Sequence, residues 1–273
     1  MVEQSSQKVK PLPQFGKGLL YLTVGALLLG WILNTPPGLL GKADAIGYAV
    51  CHRIDLRSFH LADRQMPLCA RCSGMYLGAL LGLSYQAIFS KRRGGMPPRS
   101  LWLLLIAFVA AFALDGLNSY LHLFPGFPSV YQPDNLLRLL TGSGMGLVIA
   151  SLLFPAFNQS AWVDWQETPA IAGFPTMLLL IVLTLALDSL VLTQNPLILY
   201  PLALISAASV FVILSMVYTM IWLMIFHHEN KANSIIQLAT PLVAGFGTAL
   251  LQIIALDYVR YLITGTWEGF HLG

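Results

Sequence analysis

The residues in this chain best suited to chemistry lie close together in sequence. Cys51-His52 is followed eighteen residues later by Cys69-Ala70-Arg71-Cys72, so one short stretch holds all three cysteines. The same stretch carries His60 and the basic residues Arg53, Arg57 and Arg64. Tetrahedral zinc takes thiolate and imidazole ligands, commonly with one C-x-x-C knuckle. The spacing therefore points to Cys51, Cys69 and Cys72 plus one histidine. His52 is the first candidate for that fourth place, but it is next to Cys51 and adjacent residues seldom both reach one ion, so His60, as the alternative ligand, and His122 compete with it. An iron–sulfur cluster uses the same donors, but an oxidising face of a membrane disfavours it. Two other readings use the cysteines differently. A closed metal site or a disulfide would only pin the loop. A reactive pair at Cys69 and Cys72 would exchange thiol and disulfide, helped by a helix start that lowers a thiol pKa.

The elements that hold this stretch are apolar. The 273 residues are 56% hydrophobic and only 10% charged, against about a quarter charged in soluble domains. Because about 20 residues of helix cross a bilayer core, the apolar runs at about 18–34, 72–90, 101–123, 136–155, 170–192, 197–226 and 240–263 read as seven spans. The expected fold is an all-α, polytopic transmembrane helical bundle. Residues 1–17 read as a cytoplasmic tail, 18–155 as a core of four spans with the Cys/His loop at 35–71, and 156–273 as three further spans. A cleavable leader ending near Ala43-Asp44-Ala45 is the alternative for the first run, but that site lies well past it. Gly74, Gly78 and Gly82 recur every four residues, which gives the second span a face for close helix contact. The net charge of +3 is small and scattered, unlike the basic face of a nucleic-acid binder. No phosphate-binding loop, G-x-S-x-G elbow or H-E-x-x-H motif occurs.

Orientation follows from the basic residues. With the N-terminus cytoplasmic, eight lie inside (Lys8, Lys10, Lys17, Lys91, Arg92, Arg93, Arg99, Lys231) and five outside (Lys42, Arg53, Arg57, Arg64, Arg71). The Cys/His cluster then lies on the outer face of the cell membrane. Polar residues within the spans fall at that level. Asp115, Asn118 and His122 share a face of the third span at i, i+3 and i+7. Asp134, Arg138 and Thr141 start the fourth, and Asp188, Asp257 and Arg260 lie near the outer ends of the fifth and seventh. Charges in spans usually face a cavity or a partner. Arg57, Arg71 and Arg138 have the guanidinium forks that match a phosphate or carboxylate, with Asn118 and Asp134 beside them. Asp115 and His122 are the candidate general bases.

The pattern Cys51-His52, Arg57-Ser58-Phe59, Pro67-Leu68-Cys69-Ala70-Arg71-Cys72-Ser73-Gly74, Tyr76 and Gly78 resembles a family of prokaryotic multi-pass membrane proteins of unknown function. The similarity is specific over about 30 residues and extends in kind over roughly 45–155. It implies a membrane bundle and strengthens the site, without implying a reaction.

Taken together, the sequence favours a zinc site beside an Arg/Asp pocket that acts on an anionic or lipid-borne ligand. The alternatives are a membrane thiol–disulfide oxidoreductase, and a transporter or assembly subunit with a structural metal. The expected partner is the lipid bilayer, with no nucleic acid. The sequence does not set an oligomeric state.

Overall fold

The computed structural model describes residues 14–122 and 130–268. Within them the chain forms α1 (Gln14–Asn34), α2 (Gly38–Val50), α3 (Ala70–Phe89), α4 (Arg99–Leu121), α5 (Asn135–Ala161), α6 (Phe174–Leu192), α7 (Pro196–Ile225) and α8 (Ile235–Thr264). All but α2 are long and apolar enough to cross a membrane, giving seven candidate spans among the described residues. Large apolar side chains cover their outer surface, such as Leu103 at 79% exposure and Ile263 at 78%. Such a coat fits lipid and not water. The seven expected spans match α1 and α3 to α8, with boundaries differing by a few residues. The largest difference is in α5, which runs through Pro155 to Ala161. A proline inside a span is tolerated where neighbouring helices compensate for its missing N–H.

Two elements in the 35–71 segment are not legible as spans. α2 is a 13-residue helix that buries Ala43, Ala45, Ile46 and Tyr48. It is too short to cross a bilayer and carries Lys42 and Asp44, so its composition reads as loop. It packs against α7 and α8, in one apolar core with Trp31, Leu250 and Ile253. A two-residue hairpin follows, β1 (His60–Leu61) against β2 (Arg64–Gln65). Phe59 and Met66 flank it, joined by a 2.9 Å backbone bond from Met66 N to Phe59 O. Both are buried in a second core with Leu77, Leu139 and Leu199. At the other end of the bundle β3 (Arg93–Gly95) pairs in parallel with β4 (Gln166–Pro169), tying the α3–α4 connection to the α5–α6 connection.

The closest helix pair is α3 against α5. Gly74, Gly78 and Gly82 of α3 face Leu139, Ser143 and Ala150 of α5, and Gly142 and Gly146 return the contact. Backbones meet directly there, as small-residue faces allow. A methyl group on Gly78 would lie 2.7 Å from the Ser143 carbonyl oxygen. Gly78→Leu is therefore expected to destabilise the bundle, by about 1–3 kcal/mol or more from overpacking. Loss of monodispersity on heating the detergent-solubilised protein measures this. Gly25→Leu is the control, since Gly25 has nothing within 4 Å of its Cβ position. Equal melting of the two variants would contradict the close packing.

Candidate metal centre and its polar neighbours

The three sulfurs are brought together by one helix ending where another begins. Cys51 is the residue after α2, its N–H donating 2.8 Å to Gly47 O. Cys69 is the residue before α3, and Ser73 N–H donates 2.8 Å to its carbonyl. Gly47 lies against the backbone of Pro67, and a side chain there would overlap its carbonyl. That absence of a Cβ lets the end of α2 reach the start of α3. Cys72 lies one turn into α3, facing the same point. The ligand-capable atoms of Cys51, Cys69 and Cys72 all lie within 4.8 Å of one another. The Cys69 N–H points at Cys51 Sγ, 3.3 Å away.

Electrostatics divide the three thiols unequally. Cys69 is held well below the usual thiol range, mainly because it accepts from the Cys51 thiol and then from Cys72. Cys51, as the donor to it, is pushed up to about 12. The helix start at Cys69 favours an anion in the same sense. Arg260 closes the other side, donating 2.7 Å to Cys51 O and 3.2 Å to His52 O. Its guanidinium also lies 4.0 Å over the Tyr48 ring. It caps the carbonyl end of α2 as a cation should.

No histidine joins the sulfurs among the described residues. His52 is exposed. The His60 ring nitrogen is 2.9 Å from Asp55 Oδ1. His122 follows α4 and is exposed. A histidine ligand next to Cys51 would have to turn against the direction in which that cysteine points, as the adjacency of the two residues suggests. The donor set fits a thiophilic ion nonetheless. Zinc–sulfur bonds of about 2.3 Å at tetrahedral angles put sulfurs about 3.8 Å apart, within the observed limit. Three donors leave a fourth position for another ligand.

Next to the sulfurs lies a dense polar cluster. Arg71, between Cys69 and Cys72, donates from Nε to Asp115 Oδ2 at 2.9 Å and from Nη2 to the same oxygen. Its Nη2 also reaches Ser119 Oγ at 2.9 Å. Arg57 Nη2 donates 2.6 Å to Ser119 O, and Arg138 Nε lies 3.4 Å from Ser119 Oγ. Tyr131 donates 2.7 Å to Asp115 Oδ1, and Thr141 Oγ1 is 3.5 Å from Oδ2. Burial and this bond to a carboxylate push the Tyr131 hydroxyl up to about 12. Three guanidinium groups thus converge on one serine with one carboxylate between them. Arg57 and Arg71 lie within electrostatic reach of Cys69.

Other expected pocket residues have different partners. Asn118 is buried, but both ends of its amide hold the chain at 130–131, with Val130 N donating at 2.8 Å and Asn118 Nδ2 donating to Tyr131 O at 2.9 Å. Asp134 is exposed and caps α5 by accepting from Leu136 N at 3.0 Å. Asp188 accepts from Ser143 at 2.7 Å in the α5–α6 contact, and Asp257 accepts from Trp31 at 3.3 Å between α1 and α8. These carboxylates share a depth with the cysteines without sharing a pocket. Ser119 and Tyr131 were not among the expected site residues. Ser119 is one turn beyond Asp115, so extending that helical face to i+4 would have found it. Tyr131 arrives from a connection with no periodicity to read.

The family model described as "Predicted membrane protein (DUF2085)" matches residues 51–152. That segment contains all three sulfurs and the whole Arg57, Arg71, Asp115, Arg138 cluster. An uncharacterized protein of Methanocaldococcus jannaschii is 31% identical over 122 residues, which is 45% of this chain and 72% of that relative. An uncharacterized protein of Methanothermobacter thermautotrophicus is 28% identical over 102 residues, 37% of this chain and 82% of the relative. No solved structure matches. By its alignment with the first relative and the match beginning at Cys51, the chain belongs to the DUF2085 family of predicted membrane proteins.

Proposed function

We propose that Cys51, Cys69 and Cys72 hold a zinc ion, and that the arginine cluster beside them receives the anionic group of a lipid-borne or interfacial substrate. The observation that carries this reading is the juxtaposition itself. Three sulfurs lie within 4.8 Å of each other, and Cys69 is within electrostatic reach of an arginine cluster that holds more guanidinium than carboxylate. Thiolate donors suit zinc, and iron–sulfur chemistry is the weaker alternative. Zinc in such a site supplies a Lewis acid that polarises a carbonyl or phosphoryl oxygen.

The chain's own residues then take distinct parts. Arg57 and Arg138 present donors to the anionic group, and Arg71 connects that group to the sulfurs. Asp115 acts chiefly as a positioning residue, because its oxygens are already engaged by Arg71 and Tyr131. A base there would have to release those partners. His122, exposed at the end of α4, is the more accessible proton carrier. Asn118 and Asp134 support the cluster by holding the α4–α5 connection and the start of α5. The basic-residue count puts this end of the bundle on the outer face.

One experiment tests metal and orientation together. Protein purified without added metal is expected to contain about one zinc per chain. A membrane-impermeant chelator should strip it from right-side-out vesicles and not from inverted ones. A reducible disulfide with no metal would end this reading and support thiol–disulfide exchange, for which the lowered Cys69 thiol is the specific argument. Zinc that resists chelation from both sides, with no activity tied to it, would favour a structural metal in a transporter or assembly subunit.

A further inference from the structure

At the opposite end from the cysteines a cavity of about 580 Å³ lies between α1, α7 and α8. Lys17, Leu20, Val24 and Leu27 line it from one face of α1 at three- and four-residue spacing. The walls are apolar, with Leu238 and Leu251 on α8 opposite. Among the described residues its charged groups are Lys17 and Lys231, with His228 beside them, and no carboxylate lines it. All three lie at the end of the spans, where Lys17 has no hydrogen bond or ion pair among the described residues. From Lys17 to Leu27 is about 15 Å along the helix, half of the about 30 Å hydrocarbon core. The cavity therefore runs from the interface to about the bilayer midplane, cationic at its mouth and apolar below.

We infer that this cavity binds one anionic membrane lipid, with an acyl chain along α1 and the phosphate at Lys17 and Lys231. Charge argues for an anionic occupant, since two lysines and, among the described residues, no carboxylate line the cavity. The length is that of one leaflet, and lysines at a span end are the groups that meet anionic headgroups. Lys17, half-buried, lays its methylenes on the wall and keeps its ammonium at the mouth. The contact of Val24 with Gly247, where a side chain would lie 2.5 Å from Val24 Cγ2, holds α1 against α8. The site is independent of the cysteine centre and of any chemistry there.

Native mass spectrometry of the full-length protein tests this, after incubation in detergent with dioleoyl phosphatidylglycerol or dioleoyl phosphatidylcholine. One phosphatidylglycerol should be retained, about tenfold more strongly than phosphatidylcholine. The double variant Lys17→Gln/Lys231→Gln should bring the two lipids near parity, while Lys17→Arg/Lys231→Arg keeps the preference. Ala244→Phe, which adds a ring to the cavity wall, should remove the retained lipid. Equal retention of both lipids by the parent would overturn the inference, as would release of the anionic lipid by millimolar inorganic phosphate. If the Ala244 variant fails to fold, the charge variants decide alone.

Discussion

Replacing Cys69 with serine is expected to lower zinc affinity by more than about a hundredfold. Loss of an outer-shell partner alone costs about 10–100-fold, and Cys69 is both a sulfur donor and the thiol best held as a thiolate. It also stands at the start of α3, between the helix end at Cys51 and Cys72 one turn into α3. A chelator competition on purified parent and variant measures the effect. Cys69→Ser should keep its fold, because the surrounding packing rests on Leu68, Met66 and Gly47 and not on the sulfur. Unchanged zinc content in the variant would remove Cys69 from the site. The Arg71→Lys variant should keep zinc, since Arg71 offers no ligand atom, which separates the metal site from the cluster beside it.

The second large effect is expected at Asp115. Its side chain is 2% exposed and Arg71's is 19%, so solvent screens this pair little. Breaking a buried pair by removing one partner costs about 3–5 kcal/mol. Asp115→Ala leaves Arg57, Arg71 and Arg138 together without a carboxylate, which puts it at the upper end. The melting temperature of the detergent-solubilised variant, compared with the parent, reads this loss. Removing both charges as Asp115→Leu/Arg71→Met should recover much of the stability, because no uncompensated charge then remains buried. If Asp115→Ala alone melts with the parent, the cluster contributes nothing to the fold and the positioning role given to Asp115 fails. Zinc content should be the same in the parent and both variants.

Much of this arrangement was legible in sequence. Long apolar runs give the seven spans because hydrocarbon leaves no alternative to a continuous helix. The four-residue glycine repeat gave the α3 face that meets α5, since only a residue without a Cβ allows backbone contact at that spacing. The cysteine spacing gave the three sulfurs, because a C-x-x-C at a helix start already fixes two of them near one point. The histidines were less legible. His52 and His60 sit among the cysteines in sequence, but His52 is exposed and the His60 ring meets Asp55 instead, and spacing in a loop carries no direction. Asp134 reads as a pocket acid for the same reason, whereas at the start of α5 it is the group that satisfies a free N–H.

The sequence by itself determined the membrane bundle, the small-residue contact and the identity of the three clustered sulfurs, all of which depend on local periodicity or on residue type. Only the tertiary structure decided which polar groups meet. Asp115, Asp188 and Asp257 look alike at the ends of their spans, yet Asp115 is hydrogen-bonded by Arg71, while the others accept from Ser143 and Trp31, with Arg260 within electrostatic reach of Asp257. The physical reason is that helical periodicity fixes a residue's depth and face. The neighbour it meets there depends on how the helices rotate and pack, which is set by contacts such as Gly47 on Pro67 and Gly78 on Ser143.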